Sequence, residues 1–277
     1  MTNAALPITS KLAGYGYDLA STGNTPVSSS SSAHVKGSWT ELAASIDGPL
    51  DAIQVNVSTS GGSLYKGLFD LGVGAAGNEQ VIVPNAYFET DGRIGFLIQY
   101  LLSAHLPAGS RVAMRVQDDL ASAVDTFCWL AGWHGGPVFP AGVGRLEEAG
   151  IATGSSSATQ VDPGGTANTK GSWTELVAST VSPWLGFVPI FGSNKNNVET
   201  AATFRVDIGV GAAGSEQVVA PNLMVRGDAA MDVKMPYCYP PIWQPIPAGS
   251  RIAARAQSQT TDATDRLVQV ALEGFVG

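Results

Sequence analysis

The chain has 277 residues, 44% hydrophobic and only 14% charged, with 33 glycines, 16 prolines and a formal net charge of −8. A typical soluble domain carries about 25% charged residues, so this composition argues against a helical bundle and for many turns and short strands. No segment forms a basic stripe, which argues against nucleic acid and anionic membrane as partners.

In chain order, residues 1–33 read as an N-terminal arm. Ser21 to Ser32 is rich in Ser and Thr and ends in five consecutive serines. Such a segment buries too little to offset its ordering entropy, and reads as an extended element. Tyr15 and Tyr17 are the expected contact points that hold it, on this chain's own domains or on a neighbouring subunit. Met1 to Gly14 lacks the charged start and apolar run of a secretory signal. Residues 34–138 read as a first β-sandwich, 139–169 as a linker with its own Ser/Thr/Gly tract, and 170–277 as a second sandwich.

The two sandwiches follow from a duplication. Lys36-Gly-Ser-Trp-Thr-Glu-Leu42 recurs unchanged at Lys170 to Leu176. Asp70-Leu-Gly-Val-Gly-Ala-Ala-Gly-Asn-Glu-Gln-Val-Ile-Val-Pro-Asn85 recurs with few changes at Asp207 to Asn222, and Pro107-Ala-Gly-Ser-Arg111 at Pro247 to Arg251. A period of about 135 residues means whole domains, not a solenoid.

Within each copy the pattern is that of strands. Val112, Met114 and Val116 alternate with Arg111, Ala113, Arg115 and Gln117, and Val206, Ile208 and Val210 alternate in the same way. Ala-Ala-Gly then turns the chain into a second strand, giving a hairpin. Ile94 to Leu102 is apolar enough for a helix, but its counterpart carries Pro236, Pro240, Pro241 and Pro245, which a helix does not tolerate. The expected fold is all-β: two tandem jelly-roll-like β-sandwiches.

Several motifs suggest chemistry. Gly72-Val-Gly-Ala-Ala-Gly77 matches a dinucleotide fingerprint, but a strand-like segment ending in Pro84 follows where a helix is required. His34, His105 and His134 are scattered and have no counterparts, and no zinc-like spacing occurs. Adjacent carboxylates such as Asp118-Asp119 point to opposite faces of a strand, unlike a glycosidase pair. Cys128 and Cys238 read as buried free thiols. No catalytic residue, metal or cofactor is expected. Asp70 and Asp207 are placed to pair with Arg111 or Arg115 and with Arg251 or Arg255 across strands. Trp39 and Trp173 are equivalent and read as core anchors. Trp133, Trp184 and Trp243 lack sequence counterparts and are the candidate glycan or assembly contacts, plain packing being the competing reading.

The repeated blocks resemble those of virion structural proteins of tailed bacteriophages, found as fibre, spike or decoration components. The resemblance covers both copies and carries no catalytic residues. It implies a β-sandwich displayed on a particle that assembles in the host cytoplasm, in contact with other virion proteins. The expectation is a non-catalytic structural component of head or tail, with a carbohydrate-binding adhesin for a host surface glycan as the alternative. A homo-oligomer is expected from the low charge and high apolar content, with a trimer suggested by symmetry.

Overall fold

The computed structural model describes residues 11–18, 23–59, 66–89, 98–102, 105–134, 143–193, 202–227, 237–260 and 267–277. In the first sandwich, one sheet contains β1 (Lys11–Tyr15), β2 (Tyr17–Asp18), β3 (Gly23–Ser28), β5 (Ala52–Thr59), β8 (Ile98–Leu102) and β10 (Asp125–His134). Its order is β2-β3-β10-β5-β8, and β1 also pairs with β10. The facing sheet, β4-β9-β6-β7, is built from β4 (Thr40–Ala43), β6 (Lys66–Val73), β7 (Gln80–Glu89) and β9 (Val112–Asp118). From β3 onward, the chain winds between two four-stranded antiparallel sheets and its last strand returns beside the first. This is a jelly roll.

The second sandwich repeats the winding. Its sheets are β12-β13-β20-β15-β18, with β11 on β20, and β14-β19-β16-β17. The strands are β11 (Arg145–Ala149), β12 (Ile151–Ala152), β13 (Ser157–Val161), β14 (Thr174–Val177), β15 (Trp184–Ser193), β16 (Ala202–Val210), β17 (Gln217–Gly227), β18 (Tyr237–Cys238), β19 (Ile252–Ser258) and β20 (Val268–Val276). The expected all-β tandem fold is therefore present. Of the dinucleotide-like glycines, Gly72 lies within β6 while Gly74 and Gly77 lie in the turn to β7, and a strand follows them. The described part of Ile94 to Leu102 is strand β8.

Both expected boundaries move. Where it is described, the segment read as an arm supplies β1, β2 and β3. β1 pairs with β10 from Lys11↔His134 to Tyr15↔Leu130, and β3 from Thr25↔Cys128 to Ser28↔Asp125. The chain steps from one to the other at Gly16, whose φ is 78°; a Cβ there would sit 3.2 Å from the Cys128 carbonyl oxygen. The segment read as a linker supplies β11, β12 and β13, with Gly150 at the matching step. Two serines of the N-terminal serine run are tied to the sheet. Ser28 donates to Asp125 and the buried Ser29 Oγ accepts from the Val124 N–H.

The two sandwiches stack. In β20 every residue is buried. Val270 and Leu272, with Phe187 and Phe191 of β15, face the second sandwich's own core. Ala271 and Phe275, with Val188 and Ile190, face the other way and join the core of the first sandwich. The opposing surface is the outer face of β6 and β7, where Leu68 and Tyr87 are fully buried. Four sheets are thus layered in succession, and the two inner ones have both faces covered.

Deleting residues 11–28 removes β1–β3 and the partner edge of β10. The expected outcome is loss of the first sandwich's cooperative unfolding transition, followed by calorimetry and circular dichroism. An unchanged transition would return this segment to the status of an arm.

Candidate functional site

The residues shared by the two copies meet in one network per copy. Lys36 Nζ donates to Asp70 Oδ1 at 2.8 Å, the Asn85 N–H donates to the same oxygen at 2.8 Å, and Arg115 Nε donates to Asp70 Oδ2 at 2.7 Å. The Arg115 guanidinium lies 4.6 Å from the centroid of the Trp39 ring. Lys170, Asn222, Arg255, Asp207 and Trp173 repeat the arrangement. A Cβ at Gly72 would come within 2.7 Å of Trp39, and one at Gly209 within 2.6 Å of Trp173, which accounts for the glycines. Arg111 bridges Glu41 and Glu79, and Arg251 bridges Glu175 and Glu216. Trp39 and Trp173 thus lie under guanidinium groups on the outer sheet face, a placement that differs from a core anchor. The shallow cleft beside the β6–β7 turn holds a single charged side chain, that of Arg111.

Where the sandwiches meet, acidic groups gather. Asn85 Nδ2 donates to both carboxylate oxygens of Glu148 at 3.1 and 3.0 Å. Tyr87 donates to Glu89, and both touch the space beside Gly192. Glu273 is fully buried, and neither carboxylate oxygen has a hydrogen-bond partner among the described residues. Burial first, then the charges of Glu148 and Asp70, push its carboxyl well above the usual range, against a pull from Lys36. Burial opposes the charge of Asp70 too, but Lys36, the Asn85 N–H and Arg115 together hold that carboxyl below its usual range. Among the described residues no group of His, Cys, Asp and Glu could hold a metal ion. Burial pushes the Cys128 thiol well up and that of Cys238 up to about 12, so both stay protonated thiols at neutral pH.

The five candidate aromatic residues fall in different places. Trp184 is 1% exposed, and a Cβ on Gly274 would lie within 2.1 Å of its ring. It is therefore a core residue and not a surface contact. Its structural counterpart is Leu50, which sits against Gly132 as Trp184 sits against Gly274. Trp243 is 41% exposed and stacks on Phe275 with ring centroids 5.0 Å apart. Tyr15 packs against its own sandwich, and its hydroxyl accepts from the Asp47 N–H. The side chain of Tyr17 lies outside those described.

Trp133 is half-buried on the outer face of β10, and the structure adds two aromatic residues beside it. Phe127 and Trp129 are also half-buried and alternate with the buried Thr126, Cys128 and Leu130. The spacing Phe127, Trp129, Trp133 on one strand puts all three on one face, a signal present in the sequence. Across the sheet Trp129 lies opposite Asn56, and Asn56 opposite Gln99. Gln54 and Gln99 both donate to Asn56 Oδ1, at 2.7 and 3.2 Å. An aromatic strand thus lies beside an amide-bearing one.

No family model matches the chain, and no curated protein matches it. Solved structures that align with it include PNGF-II in a C2 space group, at 10% identity and a TM-score of 0.38, over 96% of this chain and 65% of that one. The CBM22-1–CBM22-2 tandem of Paenibacillus barcinonensis Xyn10C aligns at 11% identity and 0.29, over 97% and 92%. The VP2 subviral particle of infectious bursal disease virus aligns at 12% and 0.23, over 97% and 72%. The chain spans 65% of the length of the first of these. At such scores none of them assigns a ligand, activity or assembly to this chain. Its class is that of tandem all-β jelly-roll sandwiches.

Two measurements follow. Trp184→Ala should lower stability by about 3–5 kcal/mol, and Trp243→Ala by far less, read from urea unfolding. For Glu273, the unfolded chain releases the proton near the ordinary glutamate value of about 4.3. The folded chain holds it to higher pH, so stability falls as pH rises through that window. Asp70 has the opposite sign, and its contribution disappears as pH falls below the ordinary aspartate range. Glu273→Gln should flatten the decline in melting temperature as pH rises above the ordinary glutamate range; an unchanged slope would assign the decline to other groups.

Proposed function

We propose that the chain is a non-catalytic structural component of a bacteriophage virion, of head-decoration or fibre type. The observation that carries the reading is the fate of the shared residues. Lys36, Trp39, Glu41, Asp70, Glu79, Asn85, Arg111 and Arg115 answer one another within the sheet, as their counterparts do in the second copy. This supports reading what the duplication preserved as a scaffold. The repeated blocks that resemble phage virion proteins are made of these same residues. Four stacked sheets suit a rigid module on a particle surface, among other virion proteins and in several copies, with a trimer as the first state to test.

Mass spectrometry and cryo-electron microscopy of purified particles test this. The expected result is stoichiometric presence of the 28.5 kDa chain and density that fits two stacked jelly rolls. Absence from particles would overturn it.

A further inference from the structure

The duplication supplies an internal control for each sheet face. The outer face of the β13-β20-β15-β18 sheet is covered by the first sandwich, whereas its counterpart, the outer face of β3-β10-β5-β8, has no described sheet over it. Register fixes the equivalences: Leu12↔Trp133 matches Leu146↔Phe275, and Gly132↔Ile53 matches Gly274↔Phe187. Gln54, Asn56 and Gln99 therefore occupy the positions of Val188, Ile190 and Cys238. Three side chains that are apolar or weakly polar where another protein surface covers them are all carboxamides here. On the neighbouring strand, Phe127, Trp129 and Trp133 stand where the covered face has Gln269, Ala271 and Phe275.

This double exchange has a chemical direction. A face kept for a second copy of this chain would retain the small aliphatic groups that interdigitate on the covered sheet. Carboxamides offer donors and acceptors at fixed positions, and a row of indole and phenyl faces offers flat apolar contact. The two together match a ligand with hydroxyl groups around a ring and C–H groups on its faces. The rows from Phe127 to Trp133 carry no ionisable side chain: Pro26, Ser58, Asn56, Gln99, Gly14, Gln54, Leu101 and Ala52 lie in register with them, and Asp125, at the end of this face of β10, accepts from Ser28. In a chain of net charge −8, these neutral rows admit an uncharged ligand. Gln99 is exposed and Gln54 half-buried, and each uses one N–H of its amide on Asn56, which is 1% exposed; a second N–H and a carbonyl oxygen belong to each amide.

We infer that the outer face of β10, β5 and β8 is a binding platform for a neutral glycan, with Phe127, Trp129 and Trp133 stacking on sugar rings and Gln54 and Gln99 hydrogen-bonding their hydroxyls. The inference goes beyond a structural role and stands or falls without it, because it concerns the isolated chain.

Affinity electrophoresis of the full chain through gels containing soluble β-glucan, galactomannan or, as the charged comparison, polygalacturonate tests the platform. A glycan array widens the set of neutral sugars, and sedimentation velocity runs in parallel. Retardation by at least one neutral polysaccharide is expected, weakened at least tenfold by Trp129→Ala and by Gln99→Ala, each with a wild-type circular dichroism spectrum. Met224→Ala, an exposed residue on the other sandwich, should leave it unchanged. Absence of binding to every neutral glycan would overturn the inference, as would binding that both platform variants retain. A dimer that Trp129→Ala converts to monomer, without glycan binding, would also overturn it and assign the face to a second copy.

Discussion

Strand β20 is buried on both faces, and the rest of the molecule is arranged around that constraint. Its alternate residues serve two cores: Val270 and Leu272 close the second sandwich, while Ala271 and Phe275 close the gap to the first. A strand in this position cannot follow the pattern of apolar inside and polar outside. It reads as nearly continuous apolar sequence, Val-Gln-Val-Ala-Leu-Glu-Gly-Phe-Val, and its two polar side chains are both buried. Gln269 Oε1 accepts from the Ala158 N–H. Glu273 is fully buried, and burial with the charges of Glu148 and Asp70 raises its carboxyl well above the usual range.

The shared motif residues have a different task. Burying the outer face of β6 requires a way to neutralise Asp70, which the sheet turns toward the second sandwich. Lys36, Arg115 and the Asn85 N–H do so, and the Arg115 guanidinium lies over the Trp39 ring. The same cluster survives on the second copy, where Arg205 and Met224 are exposed in place of the buried Leu68 and Tyr87. The cluster is thus a property of the jelly roll itself, compatible with a covered or a solvated face. The residues around it changed according to which face is covered, much as terminal repeats acquire polar outer faces in stacked architectures.

The first copy's other outer sheet shows the complementary change, from aliphatic to amide and aromatic. One duplicated unit therefore carries three kinds of outer face: a covered one, a charged solvated one and a neutral aromatic one. The strand order is the same in both copies, and the side chains on the outer faces differ.

The sequence alone determined the duplication, the strand alternation, the glycine hairpin and the pairing of Asp70 and Asp207 with arginines, because each is a local or exactly repeated pattern. It also contained the period-two row of Phe127, Trp129 and Trp133. Tertiary structure alone decided that Gly23–Ser28, leading into the serine run, is strand, since its partner is β10, about a hundred residues away. It decided that Trp184 belongs to the core, because its equivalence to Leu50 is visible only through the strands that each one faces. It decided which apolar strand face meets the other sandwich. Strand propensity is written in neighbouring residues, whereas the partner of a strand and the cover of a sheet are set by residues far along the chain.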